Sequence, residues 1–176
     1  MFTITSRGLD EAISRLNRGT SGLERGIRSA VRRTLRGAKK TASQLVHARY
    51  VKNAGAFVST LRLKQSGFSG SMTSAGARTP LKKFLVKPSS RPRKMPPGGV
   101  HATVVRGQGG QILHAFLQRS GGVFERVGRS RFPIRQLKSV SPPGAFGNPR
   151  VGPKIEANMA QRLQVNLDHE LAYFLG

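Results

Sequence analysis

The side chains able to do chemistry in this chain of 176 residues are lopsided: 4 histidines and 7 carboxylates stand against 31 lysines and arginines, with no cysteine. Without cysteine there is no thiolate nucleophile, no disulfide and no thiolate metal site, which suits a reducing compartment. None of His47, His101, His114 and His169 lies four residues from another, so no helix face carries a ligand pair. No H-E-x-x-H, G-x-S-x-G or G-x-x-x-x-G-K pattern occurs. Gly107-Gln108-Gly109 opens like a dinucleotide motif, but no helical periodicity follows, so it reads as a hairpin turn. Asp168-His169-Glu170 puts carboxylates beside an imidazole. Neighbours on a helix diverge, however, and cannot converge on one substrate atom. Glu125 and Glu156 are isolated acids, and no general acid–base pair can be assembled from them. The expectation is a protein without catalytic residues, metal or cofactor.

What the chain supplies instead is cation, at a net charge of +24. Residues 1–50 carry 11 basic and 3 acidic side chains, 51–100 carry 10 and none, 101–150 carry 8 and 1, and 151–176 carry 2 and 3. The body is basic and the tail nearly neutral. Such self-repulsion destabilises a compact state unless counter-ions, nucleic acid or an acidic partner neutralise it. A polyanionic neighbour is therefore expected.

The elements that must position these cations can be read from periodicity. Leu9 to Leu16 reads as a short helix. Ser21 and Glu24 then form a capping box ahead of a long helix reaching about Arg49. Its apolar positions are Leu23, Ile27, Val31, Leu35, Ala38, Ala42 and Leu45. On the opposite side Arg25, Arg28, Arg32, Arg36, Lys39 and Lys40 make one stripe with almost no acid to pair at i,i+4. Gly26 and Gly37 each cost that helix about 1 kcal/mol relative to Ala. Gln65 to Thr79 suggests a poorly packed strand, and Leu81 to Lys87 a better one.

Pro88 to Gly99 reads as an extended basic arm carrying Arg91, Arg93 and Lys94, a cluster that also invites a nuclear-localisation reading. Short strands separated by glycine turns follow over 100–140, as antiparallel neighbours, with Pro133 placing the last on an edge or at a bulge. Ser141 to Gly152 reads as loop, and Pro153 opens a helix over 153–175 with Ile155, Met159, Leu163, Leu167, Leu171 and Phe174 on one face. The whole is one α+β domain, 1–176, with an antiparallel sheet packed against the long N-terminal helix and the amphipathic C-terminal helix. The N-terminus has no early positive region before an apolar run, and no stretch approaches the roughly 20 apolar residues needed to span a bilayer. A soluble protein made in a cytoplasm, with no membrane partner, is expected.

Arginines along a helix favour bidentate phosphate or carboxylate contacts. Sequence-specific DNA reading is disfavoured, because no helix-turn-helix spacing, zinc finger or basic zipper is present. Stacking on single strands is disfavoured too: the 9 Phe and 2 Tyr fall mostly at expected core positions. Non-specific phosphate attraction remains. Asp168 and Glu170 lie at the negative end of the last helix, where they cost a few tenths of a kcal/mol. They are expected to dock on the basic body of an adjacent copy, a head-to-tail contact able to close a ring.

Ala115-Phe116, then Gly122-Val123-Phe124-Glu125-Arg126-Val127-Gly128, then Ser130-Arg131-Phe132-Pro133-Ile134 and Leu137 to Pro142 together resemble the lambda-like phage minor tail protein Z family. Thr79-Pro80-Leu81 and Phe84 match the same pattern upstream. The resemblance is densest over 112–142. It departs in a longer, more basic Pro88–Gly99 arm and in Ser141-Pro142-Pro143, where the family has a simpler Val-Pro. It implies a structural virion protein of the head–tail junction, or neck, that completes the tail and joins it to the DNA-filled head. By analogy with other neck proteins it implies an oligomeric ring of six copies. Its partners would be other neck and tail proteins, with genomic DNA or the tape-measure protein in the lumen. Arg126, Arg129, Arg131 and Arg135 fall in or beside the matching segment and become candidates for DNA or subunit contact. The competing readings are a free, sequence-nonspecific nucleic-acid-binding protein and an encapsidated nuclease.

Overall fold

The structure, a computed structural model, describes residues 2–5, 21–51, 54–94 and 96–175. The helix expected over Leu9–Leu16 lies outside these residues. Helix α1 runs Ser21–Arg49, at the boundaries the capping box and apolar spacing predict. Its inward residues Ile27, Val31, Leu35, Ala38, Ala42 and Val46 are all buried. The stripe Arg25, Arg28, Arg32, Arg36 and Lys40 is exposed, with Lys39 half-buried. A 3.6-residue period puts these two sets on opposite sides of one cylinder.

Two partners cover the inward side of α1. The first is a three-stranded antiparallel sheet in the order β1-β3-β2, built from β1 Phe2–Thr5, β2 Leu61–Ser66 and β3 Ser69–Ser74. A five-residue helix α2, Ala54–Val58, leads into it. Strand β3 is central and well packed, contrary to the sequence expectation of a poorly packed strand: Gly70, Met72 and Ser74 alternate as buried residues. The weak apolar signal came from small residues, and small residues are what the contact needs. A Cβ at Gly70 would sit 2.9 Å from both Leu35 Cδ1 and Val31 Cγ1, so glycine lets the helix lie directly on the strand. The buried Ser74 hydroxyl is satisfied by Thr60 Oγ1 at 2.8 Å.

The second partner is α4, Gly152–Leu175, which packs antiparallel along α1. Ile155 and Met159 are buried, with Leu163 and Leu167 packed beside them. Pro153 sits in the first turn, as expected. A row of polar contacts runs along this seam: Thr41 Oγ1 donates to Asn158 Oδ1 (2.9 Å), which also accepts from Arg162 Nε (2.9 Å), and Asn166 Nδ2 donates to Thr34 Oγ1 (2.9 Å). Gly37 has its reason here: the Arg162 side chain crosses it, with Cδ 3.0 Å from where a Cβ would stand.

The antiparallel sheet expected from the sequence is in fact three small ones. A 3-10 turn at Leu81–Lys83 takes the first half of the strand predicted over Leu81–Lys87 and leaves β4 as Leu85–Lys87. Strand β4 pairs with β5 Val100–Val105, which pairs with β6 Gln108–Ile112 across a turn at Gly107, φ 74°. The predicted Gln111–Gln118 strand breaks at Leu113-His114. Its second part is β7 Ala115–Leu117, the first strand of a meander with β8 Val123–Arg126 and β9 Ile134–Gln136. Val51 N, just after α1, donates to Val104 O of β5 (2.9 Å), and Leu81 N of the 3-10 turn donates to Leu137 O just beyond β9 (2.9 Å). Backbone hydrogen bonds thus tie the second sheet to the end of α1 and the turn before β4 to the end of the third sheet. The expected loop from Ser141 contains helix α3, Pro142–Phe146, capped by the Ser141 hydroxyl and anchored by fully buried Phe146.

Candidate polyanion-binding surface

Arginines of α1 reach solvent because the helix spends its other sides on the sheet and on α4. Within the stripe, Arg28 lies 3.6 Å from the Glu24 carboxylate, both about half exposed. Exposed i,i+4 pairs of this kind contribute only about 0.3–0.5 kcal/mol. The Arg28 guanidinium also lies 5.5 Å from the Phe68 ring centre, and its backbone carbonyl accepts from Gln65 Nε2 at 2.9 Å. One end of the stripe is therefore held by β2 and the turn after it. Arg32 and Arg36 stay exposed beyond it.

The arm and the third sheet come together. Antiparallel pairing sets Phe116 opposite Phe124 and Arg126 opposite Ile134, while Ala115, Leu117 and Val123 point into the core. The outer face of β7–β9 thus carries the Phe116–Phe124 pair, whose rings lie 6.4 Å apart and 29° from parallel. Arg91, Pro92 and Arg93 of the arm, Arg126 at the end of β8, and Arg131 and Phe132 of the β8–β9 connection enclose a cleft of about 410 Å³ against this face. Arg131 lies 5.8 Å from the Phe132 ring centre. The sequence treats the arm and the hairpin edge as separate basic features; pairing register and chain path make them opposite walls of one cleft.

Other candidates separate from it. Lys94 and Arg129 are exposed and do not line the cleft. Arg135 lies on the other face of the sheet, paired with the Glu125 carboxylate. At the C-terminal end of the chain Asp168 and His169 are exposed, whereas Glu170 is buried against α1 and pairs with Arg33. This corrects the expectation that Glu170 serves a neighbouring copy: an antiparallel helix pair brings residue 170 over Arg33, and the acid docks within its own chain. Asp168 keeps the exposure that a subunit contact requires.

Sequence reading missed a second basic groove. Arg49, Arg106, Arg150 and Lys154 converge with Leu45, Ala48, Val105 and Val151 on about 290 Å³ where α1 ends and α4 begins. Arg106 Nε donates to His47 O (3.0 Å), and Arg49 Nε is buried without a hydrogen-bond partner among the described residues. They come from three segments far apart in the sequence, so no local pattern could have announced them.

Among the described residues no three His, Asp or Glu side chains gather where a metal ion could sit, and no helix is long and apolar enough to cross a membrane. Five described carboxylates remain; Glu24, Glu125 and Glu170 are in ion pairs, leaving Glu156 and Asp168 on the outside of α4. No protein-family profile, curated protein or solved structure matches this chain.

Proposed function

We propose that this chain is a structural protein of the phage head–tail junction, which completes the tail and joins it to the DNA-filled head as a ring of copies, without enzymatic activity. The observation that carries the reading is cation placed on several faces of one fold. The α1 stripe, the arm cleft and the Arg49–Lys154 groove are each basic, while all but two described carboxylates are in ion pairs within the chain. A protein so charged is stabilised where polyanion surrounds it, and a ring between a DNA-filled head and a tail meets DNA on one side and partner proteins on others. The segment that resembles the minor tail protein Z family is the segment that folds into β7–β9 and one wall of the cleft. Asp168, exposed like Glu156 on the nearly neutral helix, is an acid available to a neighbouring copy.

A second reading, a free sequence-nonspecific nucleic-acid-binding protein, is favoured by the cleft itself. The two separate in one experiment. The purified chain is mixed with tails lacking it, and the mixture is sedimented at about 0.15 M salt, where the Debye length is about 8 Å and loose surface attraction is screened. Co-sedimentation at fixed stoichiometry and restored head joining are expected. A monomer that ignores tails but binds DNA with steep salt dependence would overturn the neck reading and establish the second.

A further inference from the structure

The cleft between the arm and the third sheet has a composition that simple charge attraction does not require. Phosphate attraction needs only cations, yet here the cations surround aromatic surface. Phe132 is 65% exposed, and Phe116 lies half-buried on the outer face of β7. Leaving a phenylalanine that open forgoes most of the roughly 1.5–3 kcal/mol its burial would contribute. Arg91 and Arg93 line the cleft from the arm and Arg126 and Arg131 from the β8–β9 stretch, and among the described residues no carboxylate lines it.

We propose that this cleft binds single-stranded nucleic acid, with a base seated against Phe116 and Phe132 and the flanking phosphates held by Arg91, Arg93, Arg126 and Arg131. Unstacked bases are recognised on aromatic faces, and a basic groove tracks the backbone beside them. A cleft of about 410 Å³ lies within the ~300–1,000 Å³ range of small-ligand sites. It therefore has room for a splayed nucleotide, and only an unstacked base can lay its face on exposed aromatic side chains. An acidic peptide fits less well: β7 and β9, the edges of this sheet, are three residues long and offer little backbone to pair with. Phe132 is one of the aromatic residues outside the core, where most of them were expected to lie. The site stands apart from the neck reading, because it needs only the monomer.

The test is fluorescence anisotropy of the full-length protein with labelled oligo-dT and oligo-U of about 15 nucleotides, a length near the upper site size of single-strand binders. A duplex of equal length, and poly-glutamate as competitor, complete the set. Phe132→Ala should weaken single-strand binding at least about fivefold and leave duplex binding unchanged. Joint Arg126→Ala and Arg131→Ala should flatten the single-strand salt slope by about 1.4, at about 0.7 per phosphate contact. All three side chains are exposed, and unchanged melting temperatures confirm folding. The α1 pair Arg32→Ala plus Arg36→Ala serves as control and should not reproduce the selective single-strand loss. Tighter binding of dT or of U identifies DNA or RNA as the source, and either supports the site. Equal loss on single strand and duplex, no loss with Phe132→Ala, or poly-glutamate displacing the oligonucleotide as well as unlabelled dT does would overturn it.

Discussion

Gly70→Ala adds one methyl group at the place where α1 lies on β3. The new Cβ would stand 2.9 Å from Leu35 Cδ1, 2.9 Å from Val31 Cγ1 and 3.1 Å from Leu35 Cγ. Leu35 and Val31 are 5% and 2% exposed and sit inside the main core, so neither can swing aside without moving a neighbour. Overpacking of this kind costs about 1–3 kcal/mol. Removing a glycine stiffens the unfolded chain and offsets about 0.4–1 kcal/mol. The net is a destabilisation of about 1–2 kcal/mol, which lowers Tm by about 2–8 °C for a chain of this size. Gly110→Ala is the matched control. It too is a strand glycine with no unusual φ, but nothing lies within 4 Å of its added Cβ. There only the unfolded-state effect remains, and Tm should hold or rise. Urea melts of both variants, followed by circular dichroism, give the comparison. A Gly70→Ala protein as stable as Gly110→Ala would refute the claim that glycine sets the approach of α1 to the sheet. That approach fixes where the arginine stripe points, so the same variant reports on the stripe's support.

Two further outcomes follow from the packing. Phe57 is 1% exposed, makes an edge-to-face contact with Tyr50 (5.8 Å, 88°) and lies 6.2 Å from Phe84, so Phe57→Ala should cost about 3–5 kcal/mol in chemical denaturation. Arg33→Ala and Glu170→Ala should each destabilise by only about 1 kcal/mol, because Arg33 is 45% exposed and its charge is screened. Their double-mutant cycle should show coupling of at least about 0.5 kcal/mol, with oligomer size in light scattering unchanged. Loss of the oligomer at intact stability would return Glu170 to a subunit contact.

Much of the helical part was legible because its signals are local. The spacing of Ile27, Val31, Leu35, Ala38 and Ala42 announced α1 and its buried side, and Pro153 with Ile155 and Met159 announced α4. Strand β3 gives a weak signal because its core-facing residues are Gly70, Met72 and Ser74, and only one of them is large and apolar. Helix α3 is hidden in the sequence, since Pro142-Pro143-Gly144 is poor helix sequence. Its five residues are held by the Ser141 cap and the burial of Phe146, a tertiary cause.

By itself the amino-acid sequence determined the charge, the two long helices, the succession of short strands and the basic arm, all carried by neighbours within a few turns or residues. Only the tertiary structure decided which cations share a site. It set Arg91 and Arg93 across from Arg126 and Arg131, gathered Arg49, Arg106, Arg150 and Lys154, and turned Glu170 inward onto Arg33. The reason is physical: composition and periodicity report on neighbours along the chain, whereas a cleft is made where distant segments are brought together by burying their other faces.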